Sequence, residues 1–217
     1  MTLQIDVFSD IVCPWCFIGM RRLESVLDSF GEDVELRHHP YVLQPDAPAE
    51  GMDLHAMLRA RYGTDPAQLF ERAEAAARET GIPLDLSKQR MTYSTVAAHT
   101  LLRHAQEKGT QRALADALFE AYFLEARNVA DPAVLAEVTT RHGFSADEVM
   151  RLVTDETELE ETRREVEEAA RIGVRGVPLF IFSRRLVLSG AQPVEVFRKA
   201  VSDAAGSIPS TAAPAGA

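Results

Sequence analysis

The chain has two cysteines, and they stand two residues apart in Cys13-Pro14-Trp15-Cys16. A pair at this spacing can cycle between dithiol and disulfide, contribute half of a zinc site, or staple a short loop. A zinc site needs two further ligands, and without a second cysteine pair the six histidines would have to supply them. Only His38 and His39 are adjacent, and on a strand they point to opposite faces. A purely structural bridge is weak, because so short a ring constrains the unfolded chain little. The reading carried forward is a redox dithiol, with no metal.

The elements around the pair must position it. Leu3, Ile5 and Val7 alternate with Gln4, Asp6 and Phe8, which predicts a strand with one clearly apolar face. Downstream, Cys16, Met20, Leu23, Leu27 and Phe30 recur at helical spacing, and Gly31 stands where a helix would stop. Both cysteines are thus expected on the first turn of a helix. There the unpartnered backbone N–H groups and the positive end of the dipole favour a thiolate, the form that attacks a disulfide. Cys13, nearer the open end, is the expected nucleophile; Cys16, one turn further in and on the apolar stripe, is the expected resolving thiol. Pro14 suits the first helical position because its missing N–H would have no partner there.

Composition sets bounds. At 217 residues the chain can bury a sizeable core, and its apolar fraction of 46% and charged fraction of 26% are ordinary for a globular protein. The net charge of −10 argues against a nucleic-acid footprint and gives no reason to expect attraction to an anionic membrane. No run approaches the length of a membrane-spanning helix. The stretch Met1-Thr2-Leu3-Gln4-Ile5-Asp6 has neither the basic nor the apolar part of a secretory signal, so a cytoplasmic location is expected. In that compartment a CxxC pair is more readily catalytic than stapling.

Further along, residues 34–43 predict a second strand in which Pro40 marks an edge or a bulge, followed by the stiff segment Gln44-Pro45-Asp46-Ala47-Pro48. From 53 to 172 the sequence reads as an all-helical insertion. Asp65-Pro66 and Asp131-Pro132 start helices that Gly81 and Gly143 end, and capping boxes are expected at Ser145 with Glu148 and at Asp155 with Glu158. Helices are also expected over Thr95 to Lys108 and Thr110 to Glu125. The α/β pattern resumes with strands at 179–182 and 186–188 around Ser183-Arg184-Arg185, then a helix opened by Pro193 that carries Val194, Phe197 and Val201. The domain division that follows is 1–52 with 173–205 as one discontinuous unit, 53–172 as the helical one, and 206–217 as a disordered tail. Just before the third strand stands Gly173-Val174-Arg175-Gly176-Val177-Pro178. It reads either as a loop that ends in proline or as a cis Val177–Pro178 bond that presents the Val177 backbone to an extended substrate.

With CPWC after the first strand and Gly176-Val177-Pro178 before the third, the chain resembles the thioredoxin superfamily. The long helical insertion resembles its DsbA-like branch, and FrnE-type dithiol oxidoreductases within it. The resemblance runs over about residues 3–205 and includes the stretch 10–19, Ala98-His99 with Leu101-Leu102, the stretch 118–123 and Gly190-Ala191-Gln192-Pro193. It implies an α/β thioredoxin-like fold with a large helical insertion, Cys13 as nucleophile, Cys16 as resolving thiol and Pro178 as a cis-proline beside them, with Pro14, Trp15 and Val177 against the substrate. The substrate class is a disulfide- or thiol-containing protein or small molecule, with no bound cofactor and glutathione as a candidate co-substrate. The chain departs from its relatives at Ser94, where many have Asn. Similar isomerases of 2-hydroxychromene-2-carboxylate and kappa-class glutathione transferases place Ser at the first cysteine position; Cys13 favours redox chemistry, with a glutathione-dependent isomerase or transferase as the alternative.

Other residues have weaker claims. His99 sits on an apolar helix face between Val96 and Leu102, a place more typical of a core histidine than a catalyst. Asp10 is read first as a cap of the active-site helix or a loop residue, and second as a proton acceptor during exchange. His38 or His39 could tune the Cys13 thiolate, although core or solvated placement is the plainer expectation. The acidic run from Asp155 to Glu168 is read as a solvated helix face.

Overall fold

The computed structural model describes residues 2–206, and its main sheet is built outward from β1, Leu3–Ser9. Leu3, Ile5 and Val7 are fully buried, as their alternation predicts. The chain then passes through α1 (Pro14–Leu27) and returns as β2 (Val34–Pro40), parallel to β1 with Leu3 opposite Val34 and Ser9 opposite Pro40. Two late strands, β5 (Leu179–Phe182) and β6 (Leu186–Ser189), complete the order β2-β1-β5-β6, with β5 antiparallel to β1 and to β6. The strand expected over 34–43 ends at Pro40, and β2 is indeed an edge. At His38 its open backbone is met by a side chain: Gln111 accepts from the His38 N–H at 2.9 Å and donates to the His38 carbonyl at 3.1 Å. The edge is interrupted as a ladder at that residue.

One face of the sheet shares a core with α1 and with α9 (Val194–Gly206), where Phe180 meets Phe197 edge to face. On the other face Phe8 packs with Ala169 of α8 (Glu156–Arg171), Val174, Leu179 and Ile181. The approach of α1 to the sheet depends on Gly19, because a Cβ there would lie 3.2 Å from both the Phe180 ring and the Pro178 ring. The helix ends at Leu27 rather than at Gly31. The backbone N–H groups of Ser29 and Phe30 bond three residues back, to Val26 and Leu27, so the last turn tightens before the glycine is reached.

Between β2 and β5 run α2 (Leu54–Tyr62), α3 (Pro66–Glu79), α4 (Val96–Glu107), α5 (Gln111–Phe123), α6 (Pro132–Thr139), α7 (Ala146–Thr154) and α8. Asp65, Asp131, Ser145 and Asp155 cap their helices as expected. At Ser145 the box closes, with Glu148 also drawn to Lys108 at 3.0 Å. At Asp155 it stays half-formed, because the Glu158 carboxylate turns instead to Arg103 and to His104. The stretch expected to be all helical also holds a two-stranded ribbon, β3 (Met52–Asp53) with β4 (Met91–Thr92), too short for alternation to register. The β5–β6 hairpin forms without glycine, Ser183 and Arg184 taking φ of 49° and 57°. Gly206, expected in the tail, closes α9, and the remainder of that segment lies outside the described residues. Among the described residues no helix is long and apolar enough to cross a membrane.

Candidate active site

The sheet brings two loops to one place. β1 runs toward the cysteines, and antiparallel β5 begins beside its end, with Leu179 opposite Phe8, so Val177 and Pro178 fall next to the loop that leads into α1. Cys13 is the N-cap of α1 in extended conformation (φ −96°, ψ 111°), with Pro14 the first helical residue. The Cys13 N–H donates to the Asp10 carbonyl at 3.0 Å, and the Cys13 carbonyl accepts from the N–H groups of Cys16 at 3.0 Å and Phe17 at 3.3 Å. This turn sets Cys16 one helical turn deeper. Both thiols are free; Cys13 is 5% exposed and Cys16 is not exposed at all. Burial, and after it the hydrogen bond and charge of Cys13, push the Cys16 thiol well above its ordinary range, while a backbone hydrogen bond from Asp10 pulls the other way.

The Val177–Pro178 bond is cis. The Cys13 sulfur lies 4.0 Å from the Val177 carbonyl, to which it can donate. The Pro178 carbonyl accepts from Gly190 at 2.8 Å, which ties this loop to the far end of β6.

Beneath the cysteines lies Asp10, with no exposed surface. One carboxylate oxygen accepts from the Leu43 N–H at 2.7 Å, and the other sits 3.4 Å from Nε2 of buried His99. Asp10 therefore does not cap α1 through its side chain, as had been the first expectation: its carboxylate is turned away toward Leu43 and His99. His99 is buried on its apolar helix face yet holds this polar contact. His38 and His39 do point opposite ways. His39 stacks on Phe8 and meets Asp6 at 2.7 Å; His38 is buried with both ring nitrogens unpartnered, and burial lowers its pKa to about 3. The acidic stretch on α8 is largely a solvated face with local pairs, such as Arg164 with Glu161. Two residues depart from it: Glu158 turns to Arg103 and His104 of α4, and Glu165 is half-buried and raised by that burial.

Over the cysteines opens a cavity of about 400 Å³, walled on one side by Cys13, Pro14, Trp15 and Val177 and on the other by residues of α2 and α3 such as Leu58 and Phe70. Among the described residues no three His, Cys, Asp or Glu side chains gather to hold a metal ion.

The sequence matches the DSBA-like thioredoxin domain family over residues 4–202. The chain belongs to that family. A probable DsbA oxidoreductase from Streptomyces coelicolor superimposes with a TM-score of 0.85 at 33% identity, covering 95% of this chain and 92% of that one. The uncharacterized Bacillus subtilis protein YwbO is 26% identical over 207 residues, 94% of this chain and 98% of its own length. The fold alone is shared with the cytosolic disulfide reductase DsbM from Pseudomonas aeruginosa, solved with GSH, at a TM-score of 0.65 and 19% identity over 92% of this chain and 98% of that one. The α/β plan with a large helical insertion is thus the thioredoxin-like DsbA fold.

Three features escaped sequence reasoning. Arg22 is 7% exposed and donates to the Thr80 hydroxyl at 2.9 Å, the Ala191 carbonyl at 2.8 Å and the Ala76 carbonyl at 3.2 Å. It therefore fastens α1 to α3 and to the loop behind Pro178. A signal existed: Gly19, Arg22 and Val26 form a second row beside the apolar stripe, and an arginine in such a row asks for buried acceptors. Gln111 on the β2 edge and the cavity wall formed by α2 left no comparable mark.

Proposed function

We propose that this DsbA-like protein is a thiol-disulfide oxidoreductase in which Cys13 attacks and Cys16 resolves. The observation that carries the reading is the placement of Cys13 at the N-cap of α1, facing a cavity, beside the Val177 carbonyl and ahead of a deeper, wholly buried Cys16. The Cys13 thiolate attacks one sulfur of a substrate disulfide. That S–S bond breaks, one half leaves as thiolate, and a mixed disulfide remains on Cys13. Cys16 gives up its proton and attacks the Cys13 sulfur, the second half leaves, and two electrons have passed from the dithiol to the substrate. The oxidising direction is the reverse. Pro14 and Trp15 line the substrate side together with Val177, while Pro178 holds the Val177 backbone toward the sulfur.

A buried thiol with a raised pKa needs a base nearby when it is to attack. Asp10 is the candidate: its charge acts on the Cys16 thiol, and its carboxylate is held in place by the Leu43 N–H and by His99. The protein works in the cytoplasm in this reading, and its partner is a disulfide or thiol of a protein or a small molecule rather than nucleic acid or membrane. A second reading, a glutathione-dependent isomerase or transferase, draws on the cavity between Trp15 and α2, which has room for a small thiol.

Reduction of bis-hydroxyethyl disulfide by wild-type protein and by Cys13→Ser and Cys16→Ser variants tests the assignment. Cys13→Ser should lose turnover by more than about a thousandfold, and Cys16→Ser should accumulate mixed disulfides visible by mass. Full activity in Cys13→Ser would overturn the reading. Calorimetric binding of glutathione without any dithiol turnover would favour the second one.

A further inference from the structure

The cavity over Cys13 is built more selectively than dithiol exchange alone requires. Its walls are apolar over most of their extent, through Trp15, Leu43, Leu58, Phe70 and Phe123, and among the described residues Arg61 and Arg72 are the only charged side chains that line it. Arg61 donates to the Leu43 carbonyl at 3.2 Å and lies over the Tyr62 ring; neither guanidinium is paired with a carboxylate among the described residues. This matters in a chain of net charge −10, whose overall field attracts cations and repels anions. At the cavity, by contrast, the charged side chains among the lining residues are both cations. The cavity's size lies toward the small end of the range for small-molecule clefts, and Cys13, at 5% exposure, is reached through it.

An apolar wall with two cations at its side suits a ligand with an apolar body and a carboxylate. A polar peptide such as the glutathione backbone would find few partners in such walls beyond Gln44, Gln89, Thr92 and the Val177 backbone. We infer that the substrates are low-molecular-weight disulfides whose halves each carry an aromatic body and a carboxylate, the body between Trp15 and α2 and the carboxylate on Arg61 and Arg72. This rests on the dithiol reading and narrows it. In each turnover Cys13 and Cys16 close into a disulfide, and one aromatic disulfide becomes two aromatic thiolates. The two electrons come from the dithiol, and the two thiol protons go to solvent or to the products.

A single turnover needs no outside reductant, and the chain's one tryptophan, Trp15, reports it by fluorescence. The pre-reduced protein is mixed with dithiobis-nitrobenzoate (aromatic, anionic), dithiodipyridine (aromatic, neutral), cystamine (cationic), glutathione disulfide and insulin. Each rate constant is divided by that of dithiothreitol with the same disulfide, which removes intrinsic reactivity. The expected normalised rate is about tenfold higher for dithiobis-nitrobenzoate than for dithiodipyridine, and lowest for cystamine and insulin. In R61Q/R72Q the ratio of anionic to neutral aromatic falls to about one, whereas R164Q/R171Q, with the same change in net charge, keeps the wild-type ratio. The inference is overturned if cystamine, glutathione disulfide or insulin matches the aromatic anion, or if the R61Q/R72Q ratio stays high. A protein inert to every disulfide, dithiodipyridine included, would instead overturn the dithiol reading beneath it.

Discussion

The two walls of the cavity follow different rules. On the cysteine side, α1 is buried along much of its length, Gly19 lets it approach the Pro178 and Phe180 rings, and Arg22 holds it to α3 and to the Ala191 loop. On the opposite side, α2 buries no residue fully, and its apolar side chains Leu54, Met57 and Leu58 are only half-covered. A wall that is pinned at many points keeps the sulfur, the Val177 carbonyl and Asp10 in one geometry, which exchange chemistry needs. A wall with little buried area can shift or vary without loss of the fold. The difference suggests that reaction and selection reside on opposite walls, and each variant below strains one of them.

The largest effect is expected at Arg22. Removing it leaves the Ala191 and Ala76 carbonyls without their donor and cuts the tie between α1 and α3. Arg22→Met should destabilise the protein by about 3 kcal/mol, read by urea denaturation. The exposed Glu79, 3.6 Å from the guanidinium, should contribute almost nothing when changed to Gln. If Arg22→Met unfolds at the wild-type midpoint, the cysteine wall is not pinned in the way described.

Next comes Asp10→Asn, which keeps an acceptor for the Leu43 N–H but removes the charge. Resolution of the Cys13 mixed disulfide by Cys16 should slow by roughly a hundredfold if Asp10 acts as its base, while its pH profile moves down, because the Asp10 charge is one of the causes that raise the Cys16 thiol. Rapid mixing across pH reads this. A lower melting point with an unshifted profile would make Asp10 a structural residue only.

These sites also mark how far the sequence could be read. Cys13, Cys16 and Pro178 were legible because their signals are local: a fixed spacing, a strand before it, a proline at a strand start. The capped helices were legible for the same reason, Asp-Pro and Gly being written at their ends. The true carboxylate partners of Asp10, namely Leu43 and His99, were not, since they come from a loop and a helix remote in sequence. Gln111 on the β2 edge and the α2 wall were hidden likewise, by side-chain contacts with no period of their own. The short ribbon of Met52–Asp53 with Met91–Thr92 is fixed by pairing across the fold rather than by alternation.

A smaller effect is expected at His38, on the far side of β2 from His39. Its pKa is lowered to about 3 by burial, with His99, His39 and Arg112 adding repulsion, so the folded protein keeps it neutral. The unfolded chain takes up the proton below its ordinary value of 6.5. Stability is therefore unaffected by this group above that pH and falls as pH drops from 6.5 toward 3, by about 1.4 kcal/mol per unit. His38→Leu removes the titration and two unpartnered ring nitrogens. At about pH 5 the variant should be spared roughly 2 kcal/mol of the loss that the wild type suffers; parallel pH curves for the two proteins would place the acid sensitivity elsewhere.

The smallest change in stability is expected at Leu58, and its sharpest contrast is with a leucine of the main core. Leu102 on α4 is 2% exposed in the main core, and Leu102→Ala should cost about 3 kcal/mol, as truncation in a packed interior does. Leu58 on α2 has the same side chain but is half-buried beside the cavity, where its methyl groups already border open space. Truncating it creates little new void, so Leu58→Ala should cost under about 1 kcal/mol. Its effect should appear in binding instead, as a few-fold rise in KM for an aromatic disulfide at unchanged kcat, since the missing contact is made to the bound body and not to the reacting sulfurs. A large loss of stability in Leu58→Ala would mean that α2 is part of the rigid frame. A loss confined to kcat would mean that it helps align the sulfurs, and the division between a wall for chemistry and a wall for choice would have to be abandoned.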